Sequence, residues 1–147
     1  MRKEMFEKKK VLILCTGNSA RSQMAEGLLK YITQNEYEVF SAGTKPSDVR
    51  PEAIKVLLEI GIDISKNRSK SVEEFADRKI DYVLTVCDNA RENCPYFPAQ
   101  TKLIHHSFAD PAEVQGDERA RIAAFRETRD QIKKYFKNTF CKILGDR

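Results

Sequence analysis

No apolar run in this sequence approaches the length of a membrane span. The charged start, Met1, Arg2, Lys3 and Glu4, lacks the apolar segment of a signal peptide. Both absences argue against a membrane role and make the cytoplasm the expected compartment. Neither sign of charge dominates, since 26 Lys and Arg are interspersed with 22 Asp and Glu for a net charge of +4. The one basic cluster, Lys8, Lys9 and Lys10, has no aromatic residues interleaved. It reads as a solvated lead-in to a strand, so nucleic acid is not an expected partner. Metal ligands are also scarce. The two histidines are neighbours at 105 and 106, and on a strand they face opposite sides, where they cannot jointly grip an ion. The four cysteines, at 15, 87, 94 and 141, are too unevenly spaced for a zinc cluster. No metal and no cofactor is expected. In a reducing compartment, cysteines that matter are catalytic or redox-active rather than bridged.

What remains is an ordinary globular composition, 41% apolar and 33% charged, without linker, repeat or low-complexity segment. One domain over residues 1–147 is expected, its core running from about 9 to 140. Short apolar runs alternate with helical patterns, the signature of parallel βαβ units. Val11 to Cys15, Glu38 to Ala42, Asp81 to Cys87 and Thr101 to Phe108 hold the four strands. A helix runs from Arg21 to about Tyr31. A second opens at Pro51 with Ala53, Ile54, Leu57 and Leu58 turned inward and Gly61 just past its end. Ser71 and Glu74 form a capping box for a short helix reaching about Asp77. A long terminal helix, Asp117 to about Phe140, buries Ile122, Phe125, Ile132 and Phe136. Cys141, near its end, reads as a bystander.

Cys15 and Arg21 stand at the junction of the first strand and first helix, joined by the small polar loop Thr16-Gly17-Asn18-Ser19-Ala20. A loop of this kind turns backbone N–H groups inward at the positive end of a helix dipole, which makes an oxyanion cradle. A sulfur held there is favoured as thiolate, and Ser22 can donate a hydroxyl hydrogen to it. Arg21 adds a planar fork for a tetrahedral anion. Asn18 suits a left-handed backbone, and its amide can brace the loop. Ligands of parallel sheets sit beyond the carboxyl ends of the strands. Cys15 ends the first strand, Cys87 ends the third and Asp110 follows the fourth, so three chemically capable groups converge on one sheet edge.

The run Cys15-Thr16-Gly17-Asn18-Ser19-Ala20-Arg21-Ser22 continues as Gln23-Met24-Ala25-Glu26-Gly27. With Ser41-Ala42-Gly43, Thr85-Val86-Cys87, Cys94-Pro95 and Asp110-Pro111-Ala112, it makes the chain resemble thioredoxin-coupled arsenate reductases on the low-molecular-weight tyrosine phosphatase fold. The likeness spans about Lys9 to about Phe136. It implies a three-layer α/β fold with a central four-stranded parallel sheet flanked by helices. It implies that residues 16–22 and Arg21 bind arsenate, with phosphate or sulfate as competing oxyanions. The Cys15 thiolate then attacks arsenic while Asp110, aimed by Pro111, protonates the departing oxygen. Cys87 attacks Cys15, arsenite leaves, and Cys94 draws the disulfide on to Cys87–Cys94. For that last step the polar segment between Cys87 and Cys94 must loop out. If it is helical, the two sulfurs lie about 10 Å apart along the axis, beyond disulfide reach. A monomer regenerated by thioredoxin or a similar dithiol protein is expected, with glutaredoxin and glutathione as the alternative.

Two rival readings stay open. A low-molecular-weight tyrosine phosphatase shares the loop, Arg21 and Asp110, but has no need of Cys87 and Cys94 and tends to carry an aromatic residue where Ala112 stands. A non-enzymatic oxyanion or redox sensor would not need Asp110. Some relatives also hold potassium beside the loop through positions matching Asn18, Glu26 and Ser41. Lys70 stands where an acidic ligand is expected, and its ammonium either occupies that region or is simply solvated.

Overall fold

The structure, a computed structural model, describes residues 7–95 and 97–145. Four strands pair in parallel: β1 (Lys10–Cys15), β2 (Glu38–Gly43), β3 (Tyr82–Thr85) and β4 (Lys102–His105), in the spatial order β2-β1-β3-β4. That order explains the composition of β1. It has a strand on either side and helices above and below, so Val11, Leu12, Ile13 and Leu14 are all fully buried. The helices α1 (Arg21–Ile32), α2 (Pro51–Leu58), α3 (Asp88–Glu92), α4 (Glu118–Tyr135) and α5 (Cys141–Ile143) fill the connections and cover the sheet. Among the described residues no helix is long and apolar enough to cross a membrane.

The helices are placed by their apolar faces and their ends. Met24, Ala25, Leu28 and Leu29 of α1 are fully buried, as the helical spacing requires. Pro51 opens α2, and Gly61 takes the left-handed conformation (φ 84°) just beyond it. Asp117 caps α4 by accepting from the Ala120 amide at 3.0 Å. Ile122, Phe125 and Ile132 form its buried stripe, and each side chain contributes roughly 1.5–3 kcal/mol relative to exposure. The terminal helix is less uniform than its sequence suggests. It widens into a π turn at Phe136–Phe140, with both phenylalanines fully buried, before α5.

Several local expectations are corrected. Leu58 is 58% exposed, because the two turns of α2 aim Ala53, Val56 and Leu57 at the core and residue 58 lies about 100° further round. The Ser71–Glu74 capping box forms only in part: the Ser71 backbone amide favours the Glu74 carboxylate, but the Ser71 hydroxyl accepts from the Glu73 amide rather than from Glu74. Glu74 also pairs with Arg68 at 2.8 Å, and the segment is a single 3₁₀ turn, Val72–Phe75. Strands β3 and β4 are shorter than their apolar runs, and Leu103 on the edge strand β4 is 61% exposed.

Candidate active site

The loop from Cys15 to Arg21 is held by its carbonyls. The Cys15 oxygen accepts from the Thr44 amide at 3.2 Å, Thr16 from Lys45 at 2.9 Å, Gly17 from Ser47 at 3.0 Å and Ser19 from Arg50 at 2.9 Å. Each peptide unit points its N–H opposite to its C=O, so tying these oxygens outward turns the intervening amides toward the cavity. Asn18 adopts the left-handed conformation (φ 49°) that the sharp turn needs. Gly43 closes the other wall. A Cβ there would clash with the Thr16 carbonyl oxygen and lie 2.9 Å from the Asn18 nitrogen, both backbone atoms that cannot swing away. Gly43→Ala is therefore expected to lower stability by about 1–3 kcal/mol and to weaken oxyanion binding, read by thermal unfolding and phosphate titration.

Cys15 is 2% exposed, and two donors aim at its sulfur. The Asn18 amide lies 3.2 Å away and the Ser22 hydroxyl 2.9 Å away. The direction of the second bond is set by its neighbour. Asn18 Nδ2 donates to Ser22 Oγ at 2.7 Å, which leaves the Ser22 hydrogen for the sulfur. Both bonds hold the sulfur at the N-terminus of α1, facing the mouth of the loop. Gln23, fully buried on α1, donates to both the carbonyl and the side-chain oxygen of Asn18, at 3.1 and 3.0 Å. The sequence pattern did not single out Gln23. Its one signal is an amide on the apolar face of a helix directly after the loop.

Asn18 Nδ2 also donates to Ser41 Oγ at 3.0 Å, and Ser41 donates to Glu26 at 2.6 Å. Asn18 Oδ1 takes the backbone amide of Lys70 at 2.8 Å. The oxygens a potassium ion would need, on Asn18, Ser41 and Glu26, each already take part in a hydrogen bond within the chain. Lys70 contributes its backbone, while its ammonium donates to the Arg68 carbonyl at 3.0 Å. Burial pulls the Lys70 ammonium below its usual range, against the attraction of Glu26.

Arg21 joins the loop to the segment after β4. One guanidinium nitrogen donates to the Phe108 carbonyl at 3.0 Å, and another lies 3.5 Å from Asp110 Oδ2. Asp110 Oδ1 accepts from the Ala112 amide at 3.0 Å, capping the 3₁₀ turn Pro111–Glu113. The carboxyl is thereby aimed along the loop mouth. The Phe108 carbonyl is a contact that sequence alone does not announce, because it depends on where β4 ends. On the other flank, Cys87 Sγ lies 3.4 Å from the Thr16 hydroxyl and accepts from the Ala90 amide at 3.4 Å as the cap of α3. Asn89 accepts from Thr16 and Thr44 at 3.1 and 3.2 Å, pinning α3 to the loop. Cys94 lies beyond the end of α3, partly exposed, and burial pushes its thiol above the usual range. Cys141 stands at the start of α5, away from this edge. The structure therefore brings Cys15, Arg21, Cys87 and Asp110 to one sheet edge and leaves Cys94 one short helix away.

A parallel sheet with a Cys-x5-Arg anion loop at its carboxyl edge and an aspartate behind the arginine defines a phosphatase-type site. The family model described as low molecular weight phosphotyrosine protein phosphatase matches residues 10–146. The chain belongs to that family. It is 43% identical over 132 residues to an arsenate reductase of Halalkalibacterium halodurans, covering 90% of this chain and 95% of the relative. Among solved structures, an arsenate reductase in an oxidized state superposes with a TM-score of 0.77 at 34% identity, covering 92% of this chain and 98% of the other. A thioredoxin-dependent arsenate reductase of Corynebacterium glutamicum gives a TM-score of 0.68 at 26% identity, covering 92% and 63%.

Proposed function

We propose that the protein reduces arsenate to arsenite. The observation that carries this reading is the second thiol at the loop mouth: Cys87, 3.4 Å from the Thr16 hydroxyl. A hydrolytic phosphatase cycle leaves such a group without work. The names of the relatives point the same way.

In the proposed reaction the anion takes the place now held by Asp110 on the Arg21 fork, which frees Asp110 Oδ2 to face the departing oxygen. The Cys15 thiolate forms an S–As bond, and one arsenate oxygen leaves as water with the proton of Asp110. Cys87 then attacks the Cys15 sulfur. The S–As electron pair passes to arsenic, which leaves as arsenite, and the Cys15–Cys87 disulfide holds the oxidation. Cys94 attacks Cys87, Cys15 returns as thiolate, and the disulfide moves to Cys87–Cys94. A dithiol protein of the thioredoxin type reduces that pair. Because α3 is wound between Cys87 and Cys94, it must open at this step.

Arsenate-dependent NADPH oxidation with thioredoxin and thioredoxin reductase tests the reading. Turnover is expected, and its absence alongside hydrolysis of an aryl phosphate would establish the phosphatase instead. Glutaredoxin with glutathione in place of thioredoxin is expected to support little turnover. The raised Cys94 thiol gives a pH signature. Its attack needs the thiolate, so formation of Cys87–Cys94 is expected to keep accelerating with pH above about 8.5, where an ordinary thiol has begun to level off. Quenched-flow alkylation after a single turnover reads this rate.

A further inference from the structure

His105 ends β4 directly opposite Thr85 in the parallel register, so the two side chains share a face. His105 Nδ1 lies 2.7 Å from Thr85 Oγ1, and His105 Nε2 lies 3.1 Å from Asp88 Oδ1. A carboxylate only accepts, so Nε2 carries the hydrogen, and in the neutral ring Nδ1 is then the acceptor. The Thr85 hydroxyl therefore donates to the ring at 2.7 Å rather than to the Ile104 carbonyl at 3.5 Å. This fixes the imidazole from behind and points it at Asp88, the first residue of α3 and the neighbour of Cys87. The same imidazole walls a cavity of about 220 Å³ together with Arg91, Cys94 and Ile104.

We propose that His105, held by Thr85, is a positioning residue that latches the helix between the two exchanging cysteines through Asp88. Asn89 ties α3 to the anion loop through Thr16 and Thr44, and the Cys87 sulfur caps the helix by accepting from the Ala90 amide. When Cys87 attacks Cys15, its sulfur leaves the Ala90 amide and that cap is lost. The short helix buries only Ala90, so beyond the Asn89 bonds little packing keeps it wound. The bond from Asp88 to His105 remains, on the sheet side, and opposes the opening that brings Cys94 to Cys87. The latch stabilises the wound, reduced form against the Cys87–Cys94 disulfide. This rests on the relay reading above for its place in the reaction, but its physical content is separable from it.

Asp88→Ala, which removes the acceptor, His105→Gln and the double variant test the latch. In the reduced full-length protein, amide hydrogen exchange across residues 89–94 is expected to rise about two- to fivefold in each single variant, the size of one net hydrogen bond. The thermal midpoint should stay unchanged. Asp88→Ala also removes a charge from a helix N-terminus, whereas His105→Gln leaves it in place, so the two variants separate latch from dipole. The double variant should exchange no faster than the faster single one, because both remove the same bond. In a redox buffer of reduced and oxidised glutathione, oxidation of the two thiols passes two electrons and two protons to oxidised glutathione. That equilibrium should shift toward Cys87–Cys94 about threefold in His105→Gln, equivalent to about 14 mV. Unchanged exchange in His105→Gln, or full additivity in the double variant, overturns the latch. If the relay reading itself is wrong, the parent forms no Cys87–Cys94 disulfide in any buffer, and the exchange comparison still decides the latch.

Discussion

Cys15→Ser is expected to abolish arsenate turnover, with a loss of roughly four orders of magnitude or more. The reasoning is chemical rather than steric. A serine hydroxyl accepts the same bonds from the Asn18 amide and Ser22, so the loop keeps its shape, yet it does not ionise where a thiol does. No sulfur is then available for the S–As bond or for the disulfide that follows. Binding of phosphate should persist within a few fold, because the cradle is built from amides turned inward by the outward-tied carbonyls of residues 15–17 and 19. A steady-state assay with a parallel phosphate titration separates the two. Retained binding with lost turnover identifies the nucleophile, whereas loss of both would mean that the loop had collapsed.

The second large effect belongs to Asp110. Asp110→Asn keeps the side-chain shape and the acceptor for the Ala112 amide, but it removes the proton that the departing oxygen needs. Turnover is expected to fall by about 10²- to 10⁴-fold. The loss falls on the chemical step, so kcat should fall without a rise in KM. The variant also loses its ion pair with Arg21, a contact of 3.5 Å that competes with the anion for the fork. Oxyanion binding should therefore tighten slightly while the reaction slows. Unchanged turnover in Asp110→Asn would favour a sensor that needs no acid.

Much of this site is written in the order of residues along the chain. The strand-loop-helix junction at Cys15–Arg21 is local, so its turn, its left-handed Asn18 and its helix dipole all follow from neighbouring residues. The placement of Cys87 and Asp110 follows from one further rule, that strand ends of a parallel sheet gather on one edge. Other features depend on partners far apart in sequence. Arg21 reaches the carbonyl of Phe108, Gln23 braces Asn18 from inside the helix, and Asp88 meets His105. No spacing pattern encodes these contacts, because they are decided by how the helices seat on the sheet. The Ser71–Glu74 box is incomplete for a related reason, since Glu74 also takes a bidentate partner, Arg68, that lies outside the box. The helical segment after Cys87 was anticipated only conditionally. The cap that makes it a helix is the Cys87 sulfur itself, a weak acceptor that sequence rules do not count among helix caps.

The central claim is that arsenate is reduced as the Cys15 and Cys87 thiols become a disulfide, which Cys94 then draws on to Cys87–Cys94. Single-turnover quantification of arsenite, with trapping of the thiols, tests it most directly. Stoichiometric arsenate is added to reduced parent, Cys87→Ser and Cys94→Ser protein without any external reductant. The relay predicts one arsenite per chain from the parent, with a Cys87–Cys94 disulfide. It predicts one arsenite from Cys94→Ser, with the disulfide halted at Cys15–Cys87, and none from Cys87→Ser. Release of arsenite by Cys87→Ser at the parent level would contradict the account.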